Sequence, residues 1–179
     1  MPWLVFEIKQ LVYKITIRIM IWLSKIIITP TDFTTQDIIK TLHVPAKKIQ
    51  RIYLAADKIT DPPTEYKQLA NKQFIMYVGQ SSPYKNVMGL IEAHQLLLKK
   101  HPSLHLAIAG KKDTFTAQYE ATVAKKGYKN IVSTGFIEDT ELRWLYEHTA
   151  VYVVPSDMEG FGLPGLEAMQ YGTPVVSSN

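Results

Sequence analysis

Val151-Tyr152-Val153-Val154, followed by Pro155-Ser156-Asp157-Met158-Glu159-Gly160-Phe161-Gly162-Leu163-Pro164-Gly165-Leu166-Glu167-Ala168-Met169, reads as a buried strand, a glycine-rich turn and a helix start. A short β-branched run has the composition of a parallel strand covered on both faces. Pro164 suits a first helical turn, where its missing N–H is not needed. A Gly-Phe-Gly turn opening a helix offers backbone N–H groups and a positive dipole end, which suit an anion such as a diphosphate. Glu159 and Glu167 bracket the turn, and carboxylates accept hydrogen bonds from sugar hydroxyls. With the helix starting near Leu163, Glu167 lies roughly 5–6 Å along the axis from the anion-binding end. The two carboxylates can then approach opposite ends of one ligand, and a diphosphate with a sugar at each end is a nucleotide sugar. The plainer reading makes Glu167 a dipole partner and Glu159 a loop charge.

Outward from this stretch the chain keeps one rhythm. Apolar runs at Phe74–Val78, Leu104–Ala109, Ile131–Val132, Val151–Val154 and Val175–Val176 alternate with amphipathic stretches at Val87–Lys100, Phe115–Lys126, Asp139–His148 and Leu163–Tyr171. Such alternation predicts an α/β fold with a Rossmann-like, doubly wound parallel sheet. Upstream, Ile26-Ile27-Ile28-Thr29 is a further strand stopped by Pro30, and Thr31 or Asp32 can cap a helix through Leu42. A second apolar run covers Ile49 to Leu54. Residues 58–72 are polar, contain Pro62-Pro63 and have almost no apolar periodicity, which predicts an interdomain linker. The expected organisation is the tail of one α/β domain over 1–57, a linker over 58–72, and most of a second domain over 73–179. Because the sequence stops just after a strand, at Val175-Val176-Ser177-Ser178-Asn179, the reading is of an internal fragment.

Composition narrows the function classes. The 179 residues are 46% hydrophobic and 20% charged, ample for a packed core and unlike a disordered chain. A net charge of +4 is compatible with an anionic ligand or acidic lipid but too small to imply nucleic acid. The absence of cysteine excludes disulfides and thiolate zinc sites. Residues 3–28 are rich in Ile, Leu, Val and Trp, yet Glu7, Lys9, Lys14, Arg18 and Lys25 interrupt them. The longest strongly apolar uncharged run, Ile19 to Ser24, falls far below the ~20 residues that span a bilayer. Either an interfacial helix or a helix buried against a neighbour fits this pattern.

In open α/β sheets ligands sit beyond the carboxyl ends of the strands, where the strand order reverses. After Phe74–Val78 comes Gly79-Gln80-Ser81-Ser82-Pro83-Tyr84-Lys85-Asn86, in which Gly79 permits a close turn and Lys85 can reach an anion or remain a solvated charge. After the third strand comes Thr134-Gly135-Phe136-Ile137-Glu138-Asp139, either a base-recognition loop or an ordinary turn with Asp139 or Thr140 as N-cap. Neither a Walker A loop, a G-x-G-x-x-G after a strand, nor a G-x-S-x-G elbow is present. The five histidines show no metal-ligand spacing, and the aromatics are not interleaved with basic residues as single-strand binding would need.

Tyr77-Val78-Gly79 with Lys85-Asn86, Gly135-Phe136-Ile137 with Leu142, and Glu159-Gly-Phe-Gly-Leu-Pro with Glu167-Ala-Met and Gly172-Thr-Pro-Val-Val together resemble the retaining glycosyltransferases of family 4, which have the GT-B fold. The resemblance covers roughly residues 24–179, and its most specific element is the spacing of seven residues between Glu159 and Glu167. It implies a donor-binding half. Glu159 is similar to the acidic residue at the reaction centre that contacts the donor sugar, and Glu167 to the one that binds the ribose hydroxyls. Lys85 and the N–H groups of Gly160, Phe161, Gly162 and Leu163 would stabilise the diphosphate as leaving group, without a metal or other cofactor. Gly79, Gln80 and Asn86 would line the first loop of the donor site, while Phe136, Ile137 and Leu142 would face the base.

The implied partners are a nucleotide-sugar donor and a saccharide or lipid-linked acceptor, with no nucleic acid. The implied location is the cytoplasm, with peripheral contact at the inner face of the membrane. Many members place an Arg where this chain has Gln80, which shifts the diphosphate's counter-charge onto Lys85. Most of the acceptor-side domain is absent from the sequence, so the chain alone is not expected to turn over. A non-catalytic sugar-nucleotide-binding module and a related GT-B enzyme, such as a sugar-nucleotide epimerase or a glycogen-synthase-like transferase, are the competing readings.

Overall fold

The computed structural model describes residues 3–178; residues 1, 2 and 179, which the expected domain bounds include, lie outside the described residues. Two compact units are present, Met1–Leu54 and Ala55–Asn179.

The first unit contains α1 (Trp3–Leu23), β1 (Ile27–Thr29), α2 (Asp32–Leu42) and β2 (Ile49–Arg51). β1 and β2 pair in parallel, with Ile27 opposite Ile49. Thr31 caps α2 by accepting from the Thr34 N–H at 3.1 Å, and His43 ends the helix in the left-handed conformation at φ 58°. The second strand is shorter than the apolar run that predicts it, stopping at Arg51. α1 buries none of its side chains; Trp3, Phe6, Leu11 and Trp22 are all exposed. No helix among the described residues is long and apolar enough to cross a membrane.

The second unit holds β3 (Phe74–Val78), α3 (Val87–Leu97), β4 (His105–Ala109), α4 (Thr114–Lys126), β5 (Ile131–Gly135), α5 (Asp139–His148), β6 (Val151–Val154), α6 (Leu163–Gln170) and β7 (Val175–Ser177). The strands form one sheet in the order β5-β4-β3-β6-β7, parallel throughout. The order reverses between β3 and β6, the place where a doubly wound sheet leaves a crevice.

Alternation along β3 explains why both faces carry helices. Phe74 and Met76 point into a core with Trp144, Leu145 and Tyr146 of α5 and Ala168 of α6. Ile75 and Tyr77 point the other way, into a core with Leu90 and Ile91 of α3 and Tyr119 of α4. A strand buried on both faces has no polar positions to spare, which is why its sequence is continuously apolar.

Residues 58–72, expected as an interdomain linker, group with the second unit, and Tyr66 and Leu69 join the α5–α6 core. Arg143 donates to the Thr60 and Asp61 carbonyls at 3.1 and 2.8 Å, and the Thr64 N–H donates to the Thr140 carbonyl at 3.1 Å. Two apolar side chains and a set of satisfied backbone groups suffice to dock a segment that lacks periodicity. The N-cap of α5 is Glu138, in place of Asp139 or Thr140, and the Glu141 carboxylate accepts from its N–H at 3.4 Å.

Candidate functional site

The loops after β3 and β6 meet at the switch point. Gly79 adopts φ +149°, and its N–H donates to the Ala109 carbonyl at 2.9 Å. Tyr77 holds the next residue: its hydroxyl donates to the Gln80 carbonyl at 2.7 Å. Burial first, then the charge of Glu159, pushes the Tyr77 phenol well above its ordinary pKa, so it remains a donor. Tyr152 from β6 donates to the Val78 carbonyl at 3.2 Å, and burial likewise raises its phenol. Two protonated tyrosines therefore brace the carboxyl end of β3.

The second loop is tied to the first through main chain and side chain. The Asp157 N–H donates to the Tyr84 carbonyl at 2.8 Å. Lys85 Nζ lies 2.6 Å from Glu159 Oε2, with side chains 19% and 32% exposed, and Ser156 Oγ donates to the same oxygen at 3.2 Å. Gly162 turns into α6 at φ 80°, ψ 44°, a left-handed N-cap that costs glycine little. Pro164 sits in the first turn. Gly165 is buried against Val154, Val175 and Tyr152, so the helix packs closely on β6 and β7.

Between these loops lies a cleft of about 230 Å³ whose lining includes Gly79, Gln80, Lys85, Glu159 and Gly162, together with Ser156. Five predicted residues are thus brought together. Asn86 instead caps α3 in the left-handed conformation at φ 51°, and Leu163 begins α6. Gly160 is exposed and Phe161 half-buried in the loop between. Ile137 and Leu142 pack against the α5–α6 core, whereas Phe136 is 76% exposed, so of the three expected at a base only Phe136 presents most of its surface. Glu167 lies one helical turn beyond Leu163, and Tyr146 donates to its Oε2 at 2.8 Å. Sequence reasoning gave no role to Tyr77, Ser156 and Tyr146. The last falls on the apolar face of α5 with Leu142 and Leu145, where spacing marks packing and says nothing of its hydroxyl. No group of three or more His, Asp or Glu among the described residues could hold a metal ion.

A five-stranded parallel sheet whose switch-point cleft carries a lysine, a carboxylate and a glycine-led helix start defines a Rossmann-like α/β domain. Solved structures share this fold. Anabaena HepE in complex with UDP and glucose superposes with a TM-score of 0.75 at 18% identity, covering 92% of this chain and 48% of that one. The sucrose-phosphate synthase of Thermosynechococcus elongatus gives 0.71 at 21% identity, covering 92% and 43%. These are GT-B folds. The chain belongs to the family described as "Glycosyl transferases group 1", which matches residues 61–179. Among curated relatives, the Escherichia coli O-antigen chain mannosyltransferase B is 36% identical over 168 residues, 87% of this chain and 44% of the relative. The Salmonella typhimurium O-antigen chain mannosyltransferase RfbU is 25% identical over 173 residues, 96% and 47%. The chain thus spans about half the length of these relatives.

Proposed function

We propose that the Ala55–Asn179 unit binds a nucleotide-sugar donor, and that a protein of the relatives' length carrying it transfers the sugar to a glycan or lipid-linked acceptor. The observation that carries this reading is the pairing of Lys85 with Glu159 across the switch point, one helix start away from Glu167. In it, Lys85 and the turn at Gly160–Leu163 take the diphosphate, Glu159 meets the donor sugar and Glu167 the ribose. Stabilising the departing diphosphate with a fixed cation and backbone dipoles lowers the barrier to breaking the glycosidic bond without a metal. Attack on the face the diphosphate leaves retains the anomeric configuration. The names of the two O-antigen relatives make mannose the first sugar to try. The basic and apolar surface of α1 supports a peripheral contact with anionic lipid on the cytoplasmic side.

The test is transfer by such a longer protein, with the product anomer read by NMR. Glu159→Ala lowers kcat by roughly a hundredfold or more, and Glu167→Ala mainly raises KM for the donor. Unchanged kinetics in both variants, or an inverted product, would sink the proposal.

A further inference from the structure

We infer that Tyr146 is a positioning residue of the nucleotide site: its phenol fixes Oε2 of Glu167 so that Oε1 is presented to the vicinal hydroxyls of a ribose. The inference rests on the donor-site reading above and adds a residue that itself touches no ligand.

Tyr146 is fully buried on α5, and its hydroxyl donates to Glu167 Oε2 on α6 at 2.8 Å. The ring has little freedom. It stacks on Tyr171 with centroids 5.7 Å apart and planes 10° from parallel, and tilts against Tyr152 at 6.1 Å. Its own carbonyl accepts from Thr173 Oγ1 at 2.5 Å. Tyr171 is anchored in turn, since its hydroxyl accepts from the Ile59 N–H at 2.9 Å and donates to the Ile59 carbonyl at 3.2 Å. Burial foremost, then the Glu167 charge, pushes the Tyr146 phenol far above its ordinary pKa. The hydroxyl therefore stays protonated, and a carboxylate can only accept from it.

A glutamate on a helix surface rotates almost freely about its last torsion. Committing one oxygen to a rigid donor leaves one direction for the other, which suits two adjacent hydroxyls better than a freely turning carboxylate would. A tyrosine serving the core alone needs some acceptor for its hydroxyl. Here that acceptor is the one carboxylate assigned to the ribose, not a backbone carbonyl.

The experiment is calorimetric titration of the chain with UDP, GDP and ADP, each beside its 2′,3′-dideoxy form. Tyr146→Phe is expected to weaken the ribonucleotide by about tenfold while changing the dideoxy form by less than about twofold. Equal losses on both forms, or no loss on the ribonucleotide, would overturn the inference and leave the donor reading standing. A folded wild-type chain that binds none of the nucleotides overturns both. If Tyr146→Phe does not fold, 3-fluorotyrosine placed at 146 supplies the readout. Its fluorine resonance is expected to move on adding the ribonucleotide but not the dideoxy form, and equal movement with both overturns the inference.

Discussion

Lys85 Nζ and Glu159 Oε2 are 2.6 Å apart, so the cation and the carboxylate lining the cleft pair with each other. They come from loops after β3 and β6, the two strands between which the sheet order reverses. In the proposed donor site, a diphosphate would compete with Glu159 for Lys85. Glu159→Gln is therefore expected to tighten a sugar-free nucleoside diphosphate by up to about fivefold at low salt, the scale of a partly exposed ion pair. The gain should fall as salt rises and vanish in a Lys85→Met background. Calorimetry on the four combinations checks it; a gain that survives loss of Lys85 would mean that the two groups do not compete.

The close approach of β3 and β4 at their carboxyl ends is glycine-dependent at one position. A Cβ on Gly110, at φ +155°, would stand 2.2 Å from the Gly79 carbonyl oxygen, and a backbone atom cannot move aside as a flexible side chain can. Gly110→Ala is expected to cost about 3 kcal/mol or more. Gly165 is the contrast: a Cβ there meets only side chains at 3.6–3.9 Å, and alanine raises helix propensity by about 1 kcal/mol. Gly165→Ala should leave stability within about 1 kcal/mol of the parent. Urea denaturation of both variants measures the difference, and similar midpoints would contradict this account of the Gly79–Gly110 contact.

The elements that could be read from sequence are those set by local pattern. Phe74–Val78, Asp139–His148 and Val151–Val154 have the same bounds by apolar pattern and in the fold, because strand runs and helix periodicity are properties of neighbouring residues. The loops after β3 and β6 were legible for a related reason: each follows a strand, so topology fixes where it must emerge. The pairings between loops were not legible. Lys85 with Glu159 depends on β3 lying beside β6, and Tyr146 with Glu167 depends on how α5 packs on α6. The packing of the 58–72 segment was not legible because Tyr66 and Leu69 dock singly, with no period to mark them. Ile137 and Leu142, expected from the resemblance to face a base, are partly buried and pack against the core.

His94 gives the second unit a pH dependence. It is fully buried on α3; Nε2 lies 3.1 Å from the Leu104 carbonyl, and Gln95 Nε2 lies 3.0 Å from Nδ1. That arrangement suits the neutral ring with Nε2 protonated. Burial is the main reason its pKa is lowered, with the backbone contact to Leu104 opposing and His105 adding to the fall. The unfolded imidazole, near pKa 6.5, binds a proton that the folded one does not. Stability is therefore full above about pH 6.5 and lost as the pH falls below it toward the folded value. Denaturation at pH 5.5 and 8 is expected to show a loss of about 1 kcal/mol at the lower pH that His94→Gln removes. An identical pH response in parent and variant would contradict this assignment.

Calorimetric titration of the chain with UDP, GDP and ADP measures whether the proposed nucleotide-sugar site at the β3–β6 switch point binds its ligand. Glu167→Ala serves as the control, with circular dichroism confirming that both proteins are folded. One-to-one binding of one nucleotide class is expected, weakened by roughly tenfold or more in the variant. A folded chain that binds none of the three, or binds equally well without the Glu167 carboxylate, would contradict it.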